Sequence, residues 1–103
     1  MPKNVTVLEK NAFLECKGLK TVSLPAGLKA IRECCFQESG LAELTIPDSV
    51  TKIEKYALSM CSNLKKVVLP EGLEAISENC FWHSGLEEVR IPSGVKTVGQ
   101  SAF

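Results

Sequence analysis

Apolar residues recur along this chain at fixed distances from proline. The prolines stand at positions 2, 25, 47, 70 and 92, so the successive gaps are 23, 22, 23 and 22 residues. After each proline an aliphatic residue follows at the third position and another at the sixth, and a small residue then precedes a large apolar one. The phrase closes with L-x-x-[VL]-x-[LI]-P, as in residues 19–25. No polar residue interrupts these columns, which is the pattern of an internal repeat.

The repeat divides the chain into four full units and a half unit, 2–24, 25–46, 47–69, 70–91 and 92–103. Odd and even units differ in length between the large apolar residue and the next leucine, which are six residues apart in 13–19 and five apart in 36–41. Residues 8–58 aligned on residues 53–103 are identical at about half of the positions. This alternation indicates duplication of a two-repeat unit, within a single domain of about four and a half repeats.

Each unit predicts a short half-buried strand. In the first unit Val22 and Leu24 alternate with Thr21 and Ser23, which is the period of a strand with one buried face. Such strands, beginning at residues 19, 41, 64 and 86, stack parallel at about 4.8 Å from one another. Proline ends each strand because it has no N–H to donate.

The rest of each unit predicts a second extended stretch and two turns. The segment 28–31 reads as the second extended stretch, and the spacing of Ile31, Cys35 and Phe36 fits a short helical or 3-10 turn with its apolar edge inward. The residue before each strand leucine is glycine in three units and Asn63 in the other, which predicts a turn with positive φ there.

The length of the unit and its L-x-x-L-x-L phrase are those of leucine-rich repeats. The usual N/C-x-L is replaced by P-x-x-[LV]-x-x-[IV], followed by "AF" or "CF". This variant resembles the BspA-type leucine-rich repeat of bacterial and protozoan surface proteins. The resemblance covers the whole chain and implies a solenoid of stacked parallel strands with short helical or 3-10 turns. It also implies surface adhesion or contact with host proteins.

Charge and hydropathy exclude several function classes. Twelve acidic and twelve basic residues balance, so the basic excess expected of a nucleic-acid-binding domain is missing. No apolar run approaches the roughly 18 residues of a membrane span, and residues 1–10 do not read as a signal peptide. The location is therefore left open: the resemblance implies the cell surface or secretion, whereas free cysteines fit the cytoplasm.

The outward residues of the strands form the candidate binding face, because stacked strands present one continuous surface. These residues are Thr21, Ser23, Glu43, Thr45, Lys66, Val68, Glu88 and Arg90. Glu43, Lys66 and Glu88 alternate in sign on adjacent strands, so pairing with one another is an alternative to binding a partner. Trp82 lies in a variable outer column and either packs on a neighbour or is an exposed anchor for a partner.

The five cysteines predict neither a disulfide framework nor a metal site. Cys35 and Cys80 share a column with alanines and are expected in the core, whereas Cys34 shares one with Asn, Tyr and Ser and is the expected exposed thiol. Cys80 and His83 are expected to point to opposite sides of the coil, so they cannot share a ligand. With one histidine and no phosphate-binding loop, the sequence predicts no catalytic residues, no metal and no cofactor.

These observations favour a non-enzymatic binding or scaffold module that recognises a protein, or a glycan. A small intracellular regulator that binds one macromolecular partner, and a purely structural unit, remain alternatives. Terminal repeats normally carry polar caps, and neither end of this sequence shows one. The isolated chain is therefore expected to self-associate through its ends.

Overall fold

A computed structural model describes residues 4–103, which form a stack of short parallel strands joined by turns. Pro2, the first proline of the repeat, lies outside the described residues. Each repeat unit contributes one coil. The strands are β1 (Val7–Leu8), β2 (Ala30–Ile31), β3 (Glu43–Thr45), β4 (Lys52–Ile53), β5 (Lys66–Val68), β6 (Ala75–Ile76), β7 (Glu88–Val89) and β8 (Thr97–Val98).

The L-x-x-[VL] phrase forms one parallel sheet in the order β3-β5-β7. Leu44 lies opposite Val67, and Val67 opposite Val89, so equivalent positions of successive units stack on one another. This confirms the register of the repeat. The first predicted strand does not form: its segment, residues 19–24, is bonded to the next coil through the Lys20 carbonyl, which accepts from the Ala42 N–H at 3.1 Å.

The second extended stretch of each unit forms the opposite wall of the coil. β1, β2 and β4 make one parallel sheet, and β6 pairs with β8 in another. Between β4 and β6 the backbone pairing is interrupted, and the Ser77 hydroxyl donates to the Ile53 carbonyl at 2.5 Å. At the equivalent place in the second coil, the Arg32 N–H donates to the Leu8 carbonyl at 2.9 Å. Between β4 and β6 a side-chain hydroxyl therefore takes the place of the backbone N–H donor.

The core runs as a column of apolar side chains through the middle of the coils. Phe36, Leu58 and Phe81 occupy equivalent positions and are each at most 1% exposed. Phe13 stacks on Phe36 with ring centroids 5.2 Å apart, which continues the column into the first coil. Cys35 and Cys80 are buried beside it, as predicted for small core residues.

The predicted helical or 3-10 turn is wrong. Residues 33–38 form consecutive tight turns, and within residues 4–103 no helix occurs. Cys34 and Glu38 have φ of 59° and 58°, which is outside the range of a right-handed helix. The Phe36 N–H donates to the Ala57 carbonyl of the next coil at 2.8 Å, whereas the Gln37 N–H donates locally to the Cys34 carbonyl at 3.3 Å. Alternate N–H groups thus bond between coils and within the turn, a pattern that a helix cannot provide.

The positions of positive φ also differ from the prediction. No glycine with positive φ occurs among the described residues, and Asn63 is not in that region either. Gly40 and Gly85, which precede the strand leucine in the even coils, instead lie against the preceding coil: a Cβ on Gly40 would overlap the carbonyl oxygen of Lys17, and one on Gly85 that of Ser62. The even coils are one residue shorter at this corner, so their backbone passes directly against the preceding coil.

Candidate functional site

All eight residues of the predicted strand face are exposed. They form two columns across the coils, because alternate residues of a strand point to the same side. In the first column Glu43 lies opposite Lys66, and Lys66 opposite Glu88. In the second column Thr45 lies opposite Val68. The strand face, defined by these eight residues, is thus a continuous surface.

Two shallow grooves divide the strand face. The first has a volume of about 430 Å³ and contains Thr21, Ser23, Glu43 and Thr45. The second has a volume of about 600 Å³ and contains Lys66, Val68, Glu88 and Arg90. The first groove has three lining residues with hydroxyl groups and one charged residue, whereas the second has five charged lining residues beside an exposed valine. The two halves of the face therefore offer different chemistry to a partner.

The turns that follow the strands form one wall of the second groove. The Arg90 guanidinium contacts the Glu71 carboxylate at 2.8 Å. The Glu71 N–H in turn donates to Asp48 Oδ1 at 3.0 Å, which joins two successive turns. Val68 lies on the floor and is 45% exposed. Side chains of two successive coils therefore form this wall, and they contact one another.

Lys66 forms no direct ion pair with its neighbours on the strands. Within residues 4–103, its ammonium forms no salt bridge with Glu43 or Glu88, although both carboxylates flank it in register. Direct ion pairing within this column, the alternative to binding a partner, is therefore not seen among the described residues. The three charges are available to a partner.

Trp82 is 37% exposed and lies on the turn side of the coil, away from the strand face. Its ring meets His83 edge to face, with centroids 4.2 Å apart. The Trp82 carbonyl accepts from the Met60 N–H at 2.6 Å, so its backbone is held by the preceding coil. The side chain therefore packs in part on its neighbour and stays accessible.

All five cysteines are free, but Cys34 is less accessible than the sequence predicted. It is half-buried, and desolvation raises its pKa, with the nearby Glu33 adding to the effect. Since the thiolate is the nucleophile, a raised pKa lowers its reactivity. Burial raises the pKa of Cys35 and of Cys80 to about 12, which fits their role as core residues.

Cys80 and His83 do not form a site together. Cys80 is 1% exposed and belongs to the core, whereas His83 is exposed on the turn. In the part of the chain that the structure describes, no group of three or more His, Cys, Asp or Glu side chains is placed to hold a metal ion.

Sequence reasoning missed the wall residues Asp48 and Glu71. Both directly follow a proline of the repeat, in the column that holds Lys3, Ala26 and Ser93 in the other units. Their position beside the strand face depends on the conformation of the turn. The spacing of the apolar residues does not predict that conformation. The available signal was that the two acidic members of this column lie in adjacent units.

The fold and the spacing of the repeat agree with a known family. The model of the "BspA type Leucine rich repeat region" matches residues 1–103 in six copies. The chain belongs to the BspA-type leucine-rich repeat family. None of the curated proteins matches it.

Two solved structures are similar to this BspA-type chain. A leucine-rich repeat protein from Bacteroides ovatus ATCC 8483 is 30% identical with a TM-score of 0.97, over 100% of this chain and 27% of that one. The T. pallidum leucine-rich repeat protein is 27% identical with a TM-score of 0.91, over 96% of this chain and 47% of that one. The chain therefore spans about a quarter and about half of the length of these two proteins.

Leucine-rich repeat proteins are typically non-enzymatic, protein-binding scaffolds. No helix of residues 4–103 has the length and apolar character that crossing a membrane requires.

Proposed function

We propose that this chain is a recognition module that binds a protein partner through the strand face. The observation that carries this proposal is the placement of eight exposed side chains on four successive coils, three of them paired in strand register, where they line two adjoining grooves. A flat stack of strands buries its inner residues in the core, so the outer columns are free to vary in chemistry without a cost in packing. The surface is therefore suited to recognition.

The resemblance to surface proteins makes adhesion the context to examine first. In that context the partner is a protein of a host or of a neighbouring cell, and the coils present the strand face to it. A glycan is the alternative class, since the hydroxyl groups of Thr21, Ser23 and Thr45 in the first groove offer hydrogen-bonding groups.

The test compares a substitution on the strand face with one on the turn side. Proteins that co-purify with the wild-type chain are identified, purified and titrated with two variants, Thr45→Arg and Glu9→Arg. Both positions are exposed, so neither substitution disturbs the core. We expect Thr45→Arg to weaken binding at least about tenfold, the range for a residue at the centre of an interface. Equal affinities of the two variants would overturn the proposal.

A further inference from the structure

The second groove carries an inference about the partner, and it rests on the proposed function above. We propose that the segment it receives is a polypeptide carrying an apolar side chain and an Arg or Lys two positions apart. The apolar side chain packs on Val68 and the cationic one pairs with Glu88. Three features of the groove lead to this partner chemistry.

The first feature is the exposed aliphatic floor. Val68 is 45% exposed, and the equivalent residues of the two preceding coils are Thr45 and Ser23. An exposed valine among hydroxyl and charged residues is a local apolar spot that a partner can desolvate. At this position the second groove therefore presents an apolar side chain where the first groove presents a hydroxyl group.

The second feature is an excess of negative charge. Asp48, Glu71 and Glu88 line the groove with Lys66 and Arg90, which makes three carboxylates against two cations. Arg90 is engaged by Glu71, so the carboxylate of Glu88 is the acidic group presented on the strand itself. Lys66 is flanked by Glu43 and Glu88, so its field is offset on both sides. A cationic group on the partner complements this arrangement better than an anionic one.

The third feature is the distance between the two contact points. Val68 and Glu88 are diagonal neighbours on adjacent strands, and such neighbours lie about 7–8 Å apart. In an extended peptide, side chains two positions apart project to the same side at about 7 Å. An extended segment with an apolar and a basic residue in that spacing therefore reaches both.

The experiment uses the full chain and a displayed library of random linear dodecapeptides. The chain is immobilised, the enriched peptides are sequenced, and the strongest is synthesised with a fluorescent label for titration. We expect the enriched sequences to share an apolar residue two positions from Arg or Lys. We also expect the affinity to fall as salt rises from about 0.05 to 0.5 M, because the charges are exposed.

Variants of the chain locate the bound peptide. Val68→Thr gives the second groove the residue of the first, and Glu88→Gln removes the charge without changing the shape. Each substitution is expected to lower the affinity for the labelled peptide about tenfold. Glu88→Gln should also make that affinity less dependent on salt concentration. Glu9→Gln removes an exposed carboxylate from the turn side and is expected to leave the affinity unchanged.

Several results would overturn the inference: no enriched peptide, a consensus without the basic residue, or full affinity in Val68→Thr and Glu88→Gln. A neutral hexasaccharide that competes while a peptide does not would do the same. The proposed function is judged separately. Suppose that Thr45→Arg no longer binds the purified protein partner, whereas Val68→Thr and Glu88→Gln bind it normally. This result would support the strand face as the binding surface and would reject the partner chemistry proposed for the second groove.

Discussion

At the scale of single residues, the inward column holds the coils together. Phe36 and Phe81 lie at equivalent places in the even coils, are at most 1% exposed, and stack on Phe13 and Phe103 respectively. We expect Phe36→Ala and Phe81→Ala each to lower the free energy of unfolding by about 3–5 kcal/mol, because each leaves a cavity in the column.

The matched controls for these two changes lie two residues along the same turns. Glu38→Ala and His83→Ala remove side chains outside the core and are expected to stay within about 0.5 kcal/mol of wild type. Chemical denaturation of the four variants measures the difference. If His83→Ala lowered the free energy of unfolding as much as Phe81→Ala does, the side chains in the column of His83 would have to be packed in the core.

Glycines of odd and even coils are expected to respond differently to alanine. A Cβ at Gly40 or Gly85 meets a carbonyl oxygen of the preceding coil, whereas a Cβ at Gly18 has no atom within 4 Å. Gly40→Ala and Gly85→Ala should each cost about 1–3 kcal/mol, as in other overpacked sites, because a backbone atom cannot move aside. Gly18→Ala should be neutral or slightly stabilising in the same denaturation measurement. Equal effects at Gly18 and Gly40 would contradict the close approach.

At the scale of elements, the turns store backbone strain at the same two positions in each coil. Nine described residues other than glycine have φ between 55° and 62°, among them Glu15 at 58°. A side chain costs about 1–2 kcal/mol in this region, and glycine avoids that cost. Because glycine also loses more entropy on folding, we expect Glu15→Gly to change the free energy of unfolding by about 0 to +1 kcal/mol.

The control for this prediction is Glu87→Gly, at an exposed residue without positive φ. It makes the same change in side chain and charge and should cost about 0.5–1 kcal/mol. Thermal or chemical denaturation of the two variants gives the comparison. A greater loss of stability in Glu15→Gly than in Glu87→Gly would argue against the tight-turn geometry.

Three of the four strands predicted for the strand face form as the sequence indicates, whereas the conformation of the turns could not be predicted. Alternation at Leu44–Ile46 and Val67–Leu69 states which side of the chain is buried, and a period of two is unique to strands. The spacing of Ile31, Cys35 and Phe36 states only that these side chains point inward, and consecutive tight turns satisfy it as well as a helical turn does. The same limit applies to the site: alternation identified the eight strand-face residues, whereas the wall formed by Asp48 and Glu71 depends on turn conformation.

At the scale of the whole molecule, the described coils end in an apolar surface. Ile91, Val98 and Phe103 are 42%, 55% and 50% exposed. The equivalent residues one repeat earlier, Leu69, Ile76 and Phe81, are at most 5% exposed. The first coil is more closed than predicted, since Leu8 is 5% exposed and Val5 is half-buried. The surface at the last coil is therefore the stronger candidate for self-association.

We expect the polypeptide of residues 1–103 to self-associate through this surface, because apolar area and unpaired strand edges are exposed together and its net charge is zero. Light scattering at rising concentration should show an increasing average mass. Val98→Lys should suppress the increase, whereas Val68→Lys, at another exposed valine, should not. A mass of one chain at all concentrations would refute the expectation.

The central claim is that recognition takes place on the strand face, and site-specific photo-crosslinking to the purified partner tests it most directly. A photoreactive amino acid is placed singly at Thr45 or Lys66 on the strand face, and at Lys10 or Gln100 on the turn side, all of which are exposed. The account predicts crosslinks to the partner from Thr45 and Lys66 and none from Lys10 and Gln100. Crosslinks from the turn-side positions, with none from the strand face, would contradict it.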